Sequence, residues 1–421
     1  MWMGDPTDET GVVDISPVPG LLDPVAMGYL HYVSWQLRGA LARSMAHAMP
    51  HLDFTAGERE WLDAMTSDDP VAGSRPFCRL DVLIGTAAPG ELPDVQLIEV
   101  NTVGVGGLNY VRDASEIWLD TLAGRILEEG EALLLPVPDP REVLWEEFLS
   151  CFDEPVGSVA VVDLGETWET DGELRRLVDW IGQRGVDALF VEPDEIEVMR
   201  GNHIVARDEP VDAVLRLVDL ADLSAMELEA GRRLRGIRAA MSAGCVWPPL
   251  SWEGDHKTVL EWMQTPECLS LMTASQREVV LRHVLWTRSL ADRETTGPAG
   301  RPIDLLRYVR HQRRMLVLKP NRGYGGEGVL IGAEVSQQAW DRAIDVARDN
   351  PTTMVVQRCG LARSVDVPVS EDGTVDMAGR YTVAGLFPGR QGVGVLGRIA
   401  QERVVNITRG AAVMPYVVDM S

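Results

Sequence analysis

The chain has 421 residues, 45% of them hydrophobic and 24% charged, with a formal net charge of −25. This length exceeds what one hydrophobic core usually serves, so two to three domains or several subdomains are expected. The acidic balance argues against nucleic acid, whose phosphates need a basic stripe, and no apolar run approaches the ~20 residues of a membrane span.

The acidic start, with Asp5, Asp8 and Glu9, lacks the basic and apolar regions of a signal peptide, and up to about Pro19 it is expected to be partly unordered. Five scattered cysteines without a Cys-x-x-Cys pair point away from a disulfide framework or zinc site and towards the cytoplasm. Helices are predicted over Leu30–Ala46 and Gly57–Ala64. Strands then follow over Cys78–Ile84 and Val95–Val103, joined by the turn-rich Gly85–Pro93. A helix is expected over Ala114–Glu129, before a proline-rich boundary at Pro136–Pro140.

The next region alternates strand and helix. Ser158–Asp163 and Ala188–Val191 read as strands around a helix marked by Leu174, Leu177, Val178 and Ile181. Arg200-Gly201-Asn202 reads as a hairpin turn, Val211–Val218 as a strand and Ser224–Ser242 as a helix. After Pro248-Pro249 a largely helical stretch is expected to about Arg314. Met315–Lys319, Gly328–Ile331 and Thr353–Gln357 are predicted strands, with Ser336 capping a helix that buries Trp340, Ala343, Ile344 and Ala347. Strand and glycine-rich loop fill the last sixty residues. The expected division is 1–140, 141–250, 251–360 and 361–421, an α/β (α+β multidomain) organisation.

Of 39 basic residues only Lys257 and Lys319 are lysine, so their places matter. Lys319 ends a strand, and Gly323, Gly325, Gly326 and Gly328 follow before the next one. Such a loop lets backbone N–H groups approach phosphate oxygens without obstruction by Cβ atoms. It is not a Walker A loop, because the lysine precedes the glycines and a strand follows. In Leu97–Gly107, Glu99 and Asn101 share one face of a strand, a carboxylate and an amide oxygen suited to Mg2+. Arg79 and Asp81 share a face of the preceding strand, so pairing would gather all four groups. Near the C-terminus, Arg398, a strand, Asn406 and a small-residue loop read either as an ordinary edge hairpin or as a device to orient anionic oxygens.

These three segments, in this order, resemble the eukaryotic-type glutathione synthetases and, more distantly, the glutathionylspermidine synthetases. The resemblance implies an ATP-grasp fold with an inserted α/β substrate-binding domain and a glycine-rich lid. It places Asp81, Glu99 and Asn101 at a magnesium site, Arg79 at the transferred phosphate, and Lys257 and Lys319 on ATP phosphates. It also gives the strand of Val356 and Gln357 to adenine, and Arg216 and Arg398 to the substrate carboxylate. Where the family carries an acidic metal ligand in the lid, this chain has Gly323, with Glu327 four residues on.

The expected activity is ATP- and Mg2+-dependent joining of a carboxylate to an amine through an acyl-phosphate. The expected partners are a small-molecule acid and amine, amino acids or their derivatives, with neither nucleic acid nor membrane; a homodimer is left open. Two other classes stand beside it: a kinase-like phosphotransferase and a catalytically silent ATP-binding protein.

Overall fold

The computed structural model describes residues 2–3, 13–65, 76–85, 88, 90–170, 172–199, 201, 203–371 and 374–421. Part of the acidic start, Arg200 and Asn202 of the hairpin turn, and parts of Gly85–Pro93 lie outside the described residues.

The central sheet is antiparallel and joins distant parts of the chain. Its order is Ala412–Met414, Val393–Ala400, Thr374–Pro388, Arg79–Ile84 and Val95–Asn101, and Ser364–Glu371 also pairs with Thr374–Pro388. Leu80, Val82, Val95 and Leu97 are fully buried on one face, where period-two alternation puts them. The 25-residue helix Pro24–Ala48 packs near them. Its Leu30, Val33, Leu37, Ala40 and Leu41 recur at helical spacing and are solvent-free. Pro24 opens the helix, and Asp23 Oδ1 caps it by accepting from Ala26 N at 2.7 Å.

A second sheet, in the order Val246–Trp247, Ala213–Arg216, Ser158–Val162 and Asp187–Val191, is wholly parallel. Burial on both faces explains its continuous apolar runs. A third sheet carries the glycine-rich loop: Thr287–Ser289, Met354–Arg358, Leu316–Pro320 and Leu330–Ile331, antiparallel throughout. Helix Gln337–Asp349 covers it with Trp340, Ile344 and Ala347, and Ser336 Oγ accepts from Ala339 N at 3.2 Å as the expected cap.

Four predicted elements come out divided. Val211–Val218 is two strands in different sheets, Glu209–Val211 and Ala213–Arg216. Asp212 between them turns away to accept the N–H groups of Gly157 and Ser158 at 2.8 and 2.9 Å. Ser224–Ser242 splits into Leu220–Ala230 and Arg235–Ser242, because Gly231 adopts φ 59° and ends the first helix. Ala114–Glu129 becomes Leu108–Leu119 and Leu122–Glu129, the second starting at the Thr121 cap. The stretch to Arg314 is only partly helical, since Thr287–Ser289, Glu294–Thr296 and Pro302–Asp304 are strands. No helix among the described residues is long and apolar enough to cross a membrane.

Candidate active site

A cavity of about 1320 Å³ is lined by residues of both the central sheet and the sheet bearing the glycine-rich loop. Pairing in the central sheet sets Arg79 opposite Asn101 and Asp81 opposite Glu99, so the four polar groups share one face as the alternation predicts. The ladder then shifts register, from Asp81–Glu99 to Val82–Leu97, and skips Ile98. Ile98 and Glu99 therefore both line the cavity, a bulge that re-aims a side chain.

Asp81 is buried between two arginines. Arg79 Nε donates to Asp81 Oδ1 at 2.8 Å, and Arg398 Nη2 lies 3.0 Å from Asp81 Oδ2. Burial works to raise the Asp81 pKa, but the Arg398 and Arg79 guanidiniums outweigh it and hold the carboxyl well below the usual range. Arg79 Nη1 also donates to Gly106 O at 2.7 Å. Gly385 pairs with Asp81 across the ladder, and a Cβ there would stand 2.7 Å from Arg79 Cδ. Only glycine leaves room for that guanidinium. Arg398 is 5% exposed, yet its Nε is buried without a hydrogen-bond partner among the described residues. Such donors are costly to leave unmade.

The two lysines converge on the same wall. Lys257 Nζ lies 3.0 Å from Glu99 Oε1 and donates to Gly323 O at 2.9 Å, while Lys319 Nζ donates to Ile98 O at 3.1 Å. Burial pushes the Lys319 ammonium down to about 8; Glu99 opposes the shift and Lys257 adds to it. Gly323, Gly325 and Gly326 line the cavity at φ 130°, 69° and 72°. At Gly326 a Cβ would meet Val404 Cγ1 at 2.5 Å. The loop therefore rests on the segment that carries Asn406, whose Oδ1 accepts from Thr408 N at 2.9 Å.

Three predicted residues stand elsewhere. Arg216 does not line the cavity. It is fully buried, its Nη1 donating to Glu253 Oε1 at 2.6 Å and to Val218 O at 2.8 Å, and its Nε to Pro248 O at 3.1 Å. Its guanidinium is turned to Glu253 and backbone carbonyls in the core and does not reach the cavity, so the expected role does not fit. Val356 is buried in the core of the third sheet, paired on one side with Arg288 and on the other with Leu318; neither backbone edge is open to adenine. Gly328 lies off the cavity wall too, closing the loop against Pro320. Gln357 does line the cavity, its Nε2 donating to Ile98 O at 3.2 Å and Thr287 Oγ1 at 2.9 Å.

Glu173 also lines the cavity and had no local signal. From a helix 66 residues away its Oε2 accepts from Gly107 N at 2.9 Å, and its Oε1 accepts from Asn109 N at 3.1 Å. Helix Leu108–Leu119 begins at Gly107, which has no side chain to cap it, so a distant carboxylate supplies the cap.

No family model matches the sequence, and no curated protein matches it. Solved structures do match. A glutathione synthetase-like effector (GSS30) from Globodera pallida, in its apoform, superposes with a TM-score of 0.60 at 10% identity, over 96% of this chain and 90% of that one. A putative gamma-glutamylcysteine synthetase from Methylobacillus flagellatus matches at TM-score 0.41 and 11% identity, over 94% and 89%. A RimK domain ATP-grasp protein from Sphaerobacter thermophilus gives 0.26 and 15%, over 58% and 91%. At such identities a likeness speaks for the fold alone, and only the first superposition is close enough to carry that argument. The chain has a mixed α/β, ATP-grasp fold and is similar in structure to a glutathione synthetase-like protein.

Proposed function

We propose that the chain is an ATP- and Mg2+-dependent ligase that activates a carboxylate by phosphoryl transfer and joins it to an amine. The observation that carries this reading is charge. Eight Arg and Lys side chains line the cavity against five Asp and Glu, with Arg79, Arg398, Lys257 and Lys319 gathered about Asp81, Glu99 and Glu173, a surplus of positive charge within a chain of net charge −25. Two anions must meet for this reaction, and a fixed cationic wall offsets their repulsion.

The residues fit the groups they would hold. The unspent buried Nε–H of Arg398 suits an anionic oxygen. Glu99 and Asn101, with Asp81 opposite, offer hard oxygen donors to Mg2+, which ordinarily takes one or two carboxylates and completes its shell with phosphate and water. No cluster of three or more His, Cys, Asp or Glu able to hold a metal occurs among the described residues, so phosphate and water would have to complete the shell. When bound, Mg2+ supplies neutralisation of the phosphate oxygens. Lys257 and Lys319 grip the phosphates, Arg79 faces the transferred group and Arg398 orients the acid. Ile98, Leu285, Val317 and Ile331 form apolar walls for a purine, beside Gln357. The glycine-rich loop acts as a lid that keeps water from the activated acid. The cavity exceeds the ~300–1,000 Å³ of a single-ligand pocket, leaving room for a second reactant.

The test is ADP release from ATP and Mg2+ in the presence of pooled amino acids and small amines, with products identified by mass spectrometry. An amide product that disappears in Glu99→Ala and Lys319→Ala is expected. ADP without amide would make the chain a phosphotransferase, and ATP binding without turnover would make it a silent module.

A further inference from the structure

Lys257 and Lys319 lie on different segments, yet one buried residue ties them together. Asn321, 1% exposed, follows Lys319 and Pro320 where the glycine-rich loop begins. Its main-chain oxygen accepts from Lys257 N at 2.9 Å, and its side-chain Oδ1 accepts from Thr258 N at 3.0 Å. Its own N–H donates to Thr353 O at 2.8 Å, next to the neighbouring strand. Two successive amides of the Lys257 turn are thus held by the root of the strand bearing Lys319. A second tie lies nearby, where Glu261 Oε2 accepts from Ser289 N at 2.7 Å on the same sheet.

The residues just before Lys257 belong to the other wall. Asp255 Oδ1 accepts from Thr102 Oγ1 at 2.6 Å, and Gly254 N donates to Thr102 Oγ1 at 3.0 Å, at the end of the strand bearing Glu99 and Asn101. Lys257 therefore sits where both sheets hold the chain, and helix Val259–Trp262 beyond it packs on helix Pro24–Ala48 as well as on Thr287–Ser289.

We infer that Asn321 is a positioning residue that ties the Lys257 turn to the strand bearing Lys319 and so makes the two lysines a single phosphate-gripping pair. The inference rests on the ATP reading above. Asn321 Nδ2 makes no hydrogen bond among the described residues, so aspartate at this position retains every bond the asparagine makes.

The experiment is calorimetric titration of MgATP into the full chain as wild type, Asn321→Ala, Asn321→Asp, Lys257→Ala and the Asn321→Ala/Lys257→Ala double variant. Melting curves check that each is folded. Asn321→Ala is expected to weaken binding about tenfold, as the loss of a buried hydrogen bond implies, and Asn321→Asp to restore it. In the Lys257→Ala background the second substitution should add nothing, because the effect passes through that lysine. Equal weakening in both backgrounds, or none in either, would overturn the inference while leaving the ATP reading intact. A wild type that does not bind MgATP would overturn both. Should the alanine variant not fold, Asn321→Ser, whose hydroxyl is too short to reach Thr258 N, carries the same expectation.

Discussion

Two buried arginine–carboxylate clusters of this molecule look alike on paper and differ in what they leave unspent. In the parallel-sheet region Arg216 meets Glu253 one to one, and each of its three nitrogens also donates to a backbone carbonyl. In the cavity two arginines share Asp81, and Arg398 retains a buried Nε–H with no partner among the described residues. A closed cluster of the first kind holds a fold together. An open one holds charge in reserve for a ligand.

The largest effect should come from breaking the closed cluster. Arg216→Met leaves Glu253 buried without its counter-charge and should cost about 3–5 kcal/mol in denaturant unfolding. A change below about 1 kcal/mol would mean that the pair is not structural. Arg398→Met tests the open cluster. Asp81 keeps Arg79, so the melting temperature should move little while ADP release falls roughly 10²–10³-fold. Equal losses of stability in the two variants would erase the distinction.

Asp255 sharpens the contrast, being a buried carboxyl with no cation bound to it. Burial pushes it up to about 7 despite hydrogen bonds from Thr102, and Glu253 and Asp219 push the same way. The unfolded chain ionises near 3.8. The stability this group contributes is therefore present in acid and is lost as pH rises from about 4 to about 7. Asp255→Asn should gain roughly 1–3 kcal/mol over wild type at pH 8 and almost nothing at pH 4. A gain independent of pH would refute the assignment.

The smallest effect is a pH dependence of binding. Lys319, lowered to about 8, loses its proton above that pH, and the neutral amine no longer attracts phosphate. MgATP affinity should therefore decline above pH 8, and Lys319→Arg should flatten the decline. A profile that stays flat in the wild type would show that Lys319 does not carry the charge that binds.

Much of the layout of the candidate site was legible before folding because strands report their own faces. Arg79, Asp81, Glu99 and Asn101 needed only period-two alternation and one pairing, and the structure supplies that pairing. Lysine scarcity pointed to Lys257 and Lys319, both on the cavity wall. Arg216 misled because it ends an apolar strand just as a ligand residue would, and nothing local reveals that Glu253 lies beneath it. Glu173 and Gly385 were invisible for the complementary reason: one caps a helix far away in sequence, and the other matters only for the space it leaves beside Arg79.

The residue pattern by itself determined the mixed α/β class, the strands that bear the charged groups and the glycine-rich loop, since each depends on spacing within a few residues. Only the tertiary structure decided which charges face the cavity, which are spent in the core, and that the two lysines hang from Asn321. Those outcomes depend on desolvation and on partners remote in sequence, and the free energy of a charge belongs to its surroundings in space rather than to its neighbours along the chain.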